Sequence, residues 1–203
     1  GGCRVTELIE PSPTVEAPSI QEITRTVKAL LPTAQALVIA GSMAPGFPAD
    51  YQAKLAALAR AANVPVFLDL QGAPLSAAIA EQPALVKINL SEFASTFLDD
   101  RYSGAEHSGV LAARELAPDL LEVARAVSCR YPVTFVLTRG PNSILLLRNG
   151  DLRICPVAPL PVQETLSTIG SGDTFMAALL ARWMVFGLPV SPRCSRIKRT
   201  LGR

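Results

Sequence analysis

The sequence predicts an α/β protein with a mainly parallel sheet covered by helices on both faces. Short apolar runs, "ALVIAG", "VPVFLDL" and "ALVKIN", alternate along the chain with Ala- and Leu-rich segments of helical period. The connections between them are short, which makes a parallel sheet under crossover helices the natural architecture. Polar and glycine residues stand just after the runs, at Gly41-Ser42, Asp69, Asn89, Thr138 and Gly140. In an open parallel sheet that is where ligands bind.

The elements follow in order. "APSIQEITRTVKALL" places Ile20, Ile23, Val27, Leu30 and Leu31 at helical spacing, and Ser19 with Glu22 forms an S-x-x-E capping signature at its start. "ALVIAG" reads as a buried strand ending at Gly41, "ADYQAKLAALARAAN" as a helix, and "VPVFLDL" as a strand ending at Asp69. A short helix over 75–80 leads to the strand "ALVKIN" and to a helix from Ser91. After the polar insert "DDRYSGAEHSG", which carries His107 as a solvated loop residue, come the helix "PDLLEVARAVSCR" and the strand "VTFVLTRG". "SILLLR" and "DLRICPV" then pair as a hairpin, because Asn149-Gly150 supplies the two positive φ values of a two-residue turn. The last helix follows "GSGD", with Met176 and Leu179 as core residues.

Totals bound the rest. At 203 residues, 49% hydrophobic and 18% charged, the chain is one globular domain or a piece of a larger one. No uncharged apolar run of about 18 residues is present, so no membrane span is expected. "GGCRVTELIE" lacks a secretory pattern and an initiator Met, so a cytoplasmic, trimmed or partial chain is expected. Four scattered cysteines and one histidine argue against a zinc site and for reduced thiols. The tail 191–203 holds five basic residues and no acid, leaving 14 basic against 17 acidic in the body. That mildly acidic body excludes a nucleic-acid footprint, and the tail, which has no aromatic residue for stacking, is expected to be disordered. Residues 1–190 form the domain.

The stretch "LSTIGSGDTFMAALLARWM" carries the chemistry. A helix N-terminus attracts anions, and glycines let a phosphate approach the backbone. The run lacks the Lys of a P-loop and the spacing of a dinucleotide fold. A carboxylate at Asp173 would repel a resting phosphate, but it suits phosphoryl transfer: it can take the proton of an attacking hydroxyl while backbone N–H groups steady the transferred charge. The competing reading is that Asp173 merely caps a helix beginning at Thr174.

At this point the sequence resembles the ribokinase-like, or pfkB-type, carbohydrate kinases. "STIGSGDTFMAALL" is similar to their "TxGAGDTF" stretch, "VKINLSEF" to "KPNxxE", and "VLTRGPNSILLL" to the nucleotide segment "vTlGxxGal". "IAGSMAPGFPADYQAKL" and "TELIEPSPTV" resemble runs of the 1-phosphofructokinase and tagatose-6-phosphate kinase branch. The matches keep the family's order over residues 5–186.

The resemblance implies a three-layer α/β/α ribokinase-like fold with a hairpin near its C-terminal end, incomplete at both ends. It implies ATP and Mg²⁺ and a ketohexose phosphate as acceptor. Asp173 would be the catalytic base and Gly170, Ser171 and Gly172 the anion hole. Lys87, Asn89, Thr138 and Gly140 would meet the nucleotide, and Glu92 would hold Mg²⁺ through water. Gly41 and Ser42 would touch the sugar. Glu92 also reads as a first-turn acid favoured by the helix dipole, Lys87 and Thr138 as ordinary strand-end residues, and Asp69 as a turn former.

The family's glycine-rich sugar motif and lid would precede this chain, and helices completing the adenine pocket would follow Phe186. A homodimer would need that lid. Ile88 stands where Pro is usual and Ser143 where Gly is. The expectation is a kinase fragment of impaired activity with exposed apolar surface, against the alternative of a non-catalytic nucleotide- or sugar-phosphate-binding remnant.

Overall fold

The computed structural model describes residues 10–98, 118–158, 170–186 and 195–196. They form a sheet in the sequential order β1 to β7. Strands β1 (Leu37–Ala40), β2 (Val66–Asp69), β3 (Leu85–Asn89) and β4 (Thr134–Thr138) are parallel. Strands β5 (Ile144–Arg148), β6 (Asp151–Cys155) and β7 (Ser195–Arg196) continue the sheet antiparallel. The helices are α1 (Ala17–Leu30), α2 (Tyr51–Ala61), α3 (Gly72–Ala78), α4 (Leu90–Phe97), α5 (Pro118–Arg130) and α6 (Ser171–Phe186).

Strand side chains alternate between two faces. Val66, Leu68, Val86, Ile88, Phe135, Leu137, Leu145 and Leu147 point one way and pack with residues of α2, α3, α4 and α5, with Val27 of α1 at the margin. Phe67, Leu85 and Val136 point the other way and meet Met176, Phe175, Leu179, Leu180 and Trp183 of α6. The three layers are therefore unequal among the described residues. Five helices serve one face and α6 alone serves the other, with Val38 on β1 and Met184 on α6 each 39% exposed. No helix among the described residues is long and apolar enough to cross a membrane.

Local departures from expectation have physical causes. Helix α1 begins at Ala17 with Glu16 as N-cap and no side-chain capping bond, so the Ser19–Glu22 box does not form. Pro18 needs no hydrogen-bond acceptor for its nitrogen and is favoured in a first turn, which draws the helix start upstream of Ser19. Glu22 instead pairs with Arg25 at 2.6 Å. The helix expected over 75–80 begins at Gly72 and passes into a 3₁₀ turn, Ile79–Glu81. The hairpin forms as expected, with Asn149 at φ 50° and Gly150 at φ 76°. Cys129 is a free thiol, whereas Cys155 is disulfide-bonded, which corrects the expectation of reduced thiols at that position. Ser195 and Arg196, in the tail expected to be disordered, pair with β6. His107 and its insert lie outside the described residues.

Candidate active site

The parallel strands end level with one another: Ala40 is in register with Asp69, and Asn89 with Thr138. Strand β2 runs beside β3 with Leu68 opposite Val86, which puts Asp69 next to Lys87. Both follow the parity of Phe67 and Leu85, so both face α6. Lys87 Nζ donates to Asp69 Oδ2 at 2.7 Å, and the two side chains are only 9% and 16% exposed. This contact corrects the reading of Asp69 as only a turn former and of Lys87 as an ordinary strand-end residue. A buried ammonium needs a counter-charge, and Asp69 is that charge.

Asn89 is the N-cap of α4 and forms a complete capping box with Glu92. The Glu92 N–H donates to Asn89 Oδ1 at 2.8 Å, and the Asn89 N–H donates to Glu92 Oε2 at 3.1 Å. The reciprocal pair locks both side chains at the mouth of β3 and leaves Glu92 Oε1 outside the box. Thr96, one turn on, donates to the Glu92 carbonyl at 2.6 Å and accepts from the Gly72 N–H at 2.8 Å. That bond ties the segment after Asp69 to α4.

Helix α6 opens on the glycine-rich turn. Gly170 has φ 75°, a conformation that favours glycine, and its carbonyl accepts the Thr174 N–H at 2.9 Å. The helix starts at Ser171, so Asp173 lies inside the first turn and is not its cap. The N–H groups of the first turn have no partner within the helix, which leaves those of Ser171, Gly172 and Asp173 pointing out of its end. Asp173 is exposed. Gly172 has a different reason for being glycine: a β-carbon there would stand 2.9 Å from Lys87 Nζ. The β2–β3 ion pair therefore reaches the underside of the turn.

These elements enclose a cleft of about 1030 Å³. Lys87, Asn89 and Glu92 line it from β3 and α4, Thr138 and Gly140 from the end of β4, and Ser171, Gly172 and Asp173 from α6. Gly41 and Ser42 line it after β1. Of the residues expected from sequence only Gly170 stays off the lining, where it shapes the turn. Asp69 and Gln52 line the cleft too. Asp69 was marked from sequence only as a strand-end residue, and its pairing with Lys87 needed the register of β2 on β3. Gln52 sits on the buried side of α2 at 5% exposure, and its Nε2 donates to the Gly41 carbonyl at 3.3 Å. Nothing in an Ala-rich helical run separates it from an ordinary surface glutamine. Arg139, between Thr138 and Gly140, is 8% exposed. Desolvation lowers its pKa, but a guanidinium remains charged.

The family model of pfkB carbohydrate kinases matches residues 6–190. This chain belongs to the pfkB family. A 1-phosphofructokinase of Rhodobacter capsulatus is 31% identical over 182 residues, which is 87% of this chain and 51% of that protein. A 1-phosphofructokinase of Xanthomonas campestris pv. campestris is 31% identical over 152 residues, 71% of this chain and 42% of that protein. The fold of this pfkB chain is shared with a possible 1-phosphofructokinase from Thermotoga maritima, with a TM-score of 0.68, 20% identity, and coverage of 89% of this chain and 52% of the other. Phosphofructokinase-2 of Escherichia coli, solved with fructose-6-phosphate, has a TM-score of 0.62 at 23% identity over 86% of this chain and 52% of its own. The pfkB chain thus spans about half the length of the relatives it matches.

Proposed function

We propose that this chain carries the phosphoryl-transfer half of an ATP-dependent phosphosugar kinase, acting in the cytoplasm on a hydroxyl of a ketohexose phosphate. The observation that carries the reading is the convergence on one cleft of the α6 first turn, the buried ammonium of Lys87 and the exposed carboxylate of Asp173. The relatives named 1-phosphofructokinase favour a sugar phosphate over a free sugar. Gly41 and Ser42 would meet that sugar, and a homodimer would form through parts of the family outside this chain.

In this reading the acceptor hydroxyl gives its proton to Asp173 as its oxygen bonds to the γ-phosphorus. The bond from that phosphorus to the β,γ-bridging oxygen breaks, and ADP leaves. The N–H groups of Ser171, Gly172 and Asp173, shaped by Gly170 and backed by Lys87, hold the charge on the moving phosphoryl group. Asn89, Thr138 and Gly140 line the nucleotide side. Glu92 fits Mg²⁺ as a single hard oxygen ligand reached through water, because the capping box occupies Oε2 and not Oε1. Bound there with the nucleotide, the ion would offset phosphate charge.

The test is Asp173→Asn in the 203-residue chain, with MgATP and fructose 1-phosphate as the first acceptor. Phosphate transfer should fall by about 10²–10⁴-fold, the usual worth of a general base, while MgATP affinity stays the same or rises. Equal turnover in the variant would overturn the assignment. MgATP binding without turnover in the wild-type chain would favour the non-catalytic remnant.

A further inference from the structure

We infer that Asp69 is a positioning residue for the phosphate site, holding Lys87 beneath the first turn of α6; the inference rests on the phosphate-binding part of the proposed function. The pair lies between two strands, Nζ to Oδ2 at 2.7 Å, with both side chains largely buried. The ammonium also sits against Gly172, where an added β-carbon would press on it. Asp69 and Lys87 both line the cleft. A lysine side chain has four rotatable bonds and no shape of its own. Its placement here comes from the neighbouring strand, through a carboxylate fixed at the end of β2.

The sign of the effect separates positioning from mere proximity. A carboxylate close to an anion site repels the anion, so neutralising a bystander Asp69 would tighten phosphate binding. If Asp69 holds Lys87, neutralising it weakens binding, because a buried ammonium without its counter-charge leaves the turn for water. The two readings thus predict opposite changes.

The experiment measures tripolyphosphate binding to the full chain by calorimetry, with adenosine as a second probe that carries no phosphate. Wild type, Asp69→Asn, Lys87→Met and the double variant are compared. Asp69→Asn should weaken tripolyphosphate by about tenfold, the size of one charge-assisted hydrogen bond, and leave adenosine unchanged. The double variant should bind as weakly as Lys87→Met alone, within about twofold, because the two residues act as a unit. The double variant also buries no lone charge, so it supplies the comparison with Lys87→Met should Asp69→Asn fail to fold. Tighter or unchanged tripolyphosphate binding in Asp69→Asn overturns the inference and leaves the phosphate site standing. So does a double variant whose loss exceeds that of Lys87→Met by the full Asp69 factor. A wild-type chain that binds no tripolyphosphate overturns both the inference and the functional reading beneath it.

Discussion

The ammonium of Lys87, on β3, lies 2.9 Å from where a β-carbon at position 172 would stand on α6. A glycine inside the first turn of a helix is normally a cost, since alanine is favoured there by about 1 kcal/mol. At position 172 the missing methyl makes room for a charge.

Gly172→Ala should therefore separate stability from binding. Among the described residues the only neighbour within reach is the far end of a flexible lysine, which can move aside. Thermal unfolding should show the variant as stable as wild type, or more stable by up to about 1 kcal/mol. Titration with tripolyphosphate should show affinity reduced severalfold. A variant that loses stability and keeps affinity would mean that the glycine serves packing alone.

Glu92 holds the capping box, and the proposed function gives it a second duty toward Mg²⁺ that one substitution can part from the first. Glu92→Gln keeps an oxygen able to accept the Asn89 N–H, so the capping box survives and stability should change by less than about 0.5 kcal/mol. The lost charge should weaken ATP binding in the presence of Mg²⁺ more than in its absence. Asn89→Ala breaks the box and should cost about 1 kcal/mol in urea unfolding. If Glu92→Gln weakens ATP equally with and without Mg²⁺, the carboxylate has no metal role.

The hairpin provides a control remote from the cleft. Gly150 sits at φ 76°, and a β-carbon there would lie 2.6 Å from Cys129 Sγ. Gly150→Ala should destabilise the chain by about 1–2 kcal/mol through its left-handed backbone, with further loss from the sulfur contact. Adding Cys129→Ala should recover the second part only. Denaturant midpoints of the two variants check this, and tripolyphosphate affinity should not change in either.

The parallel core was legible because its signal is local: runs such as "VFLD" and "LVKIN" are apolar except for the residues that reach the cleft at their carboxyl ends, as strands covered on both faces must be. The "GSGD" turn, Asn149-Gly150 and the strand-end polar residues could be read for the same reason, since each states its backbone demand within a few residues. The Asp69–Lys87 pair joins two strands and was invisible until the register of β2 on β3 was known. Gln52 shows the same limit, its burial being set by the loop after β1 that packs over α2. The false cap at Ser19 failed because Pro18 competes for the same turn, and the motif alone does not weigh that competition.

The unequal layers lead to the last prediction. Helix α6 holds the sheet through one satellite cluster, in which the rings of Trp183 and Phe67 form a T-shaped pair with centroids 5.3 Å apart and planes at 90°. The opposite face is closed by the larger cluster, which draws residues from α2, α3, α4 and α5. Because Trp183 is the only tryptophan in the chain, its fluorescence reports the docking of α6 alone. Urea unfolding followed by Trp183 should show a lower midpoint than unfolding followed by far-UV circular dichroism, which is dominated by the other layer. Tripolyphosphate, bridging the α6 turn to Lys87, should raise the fluorescence midpoint toward the dichroism midpoint, because a ligand bound across two units stabilises their docking. Coincident midpoints without ligand would mean that α6 is as firmly held as the helices of the larger cluster, and that its first turn needs no ligand to secure it.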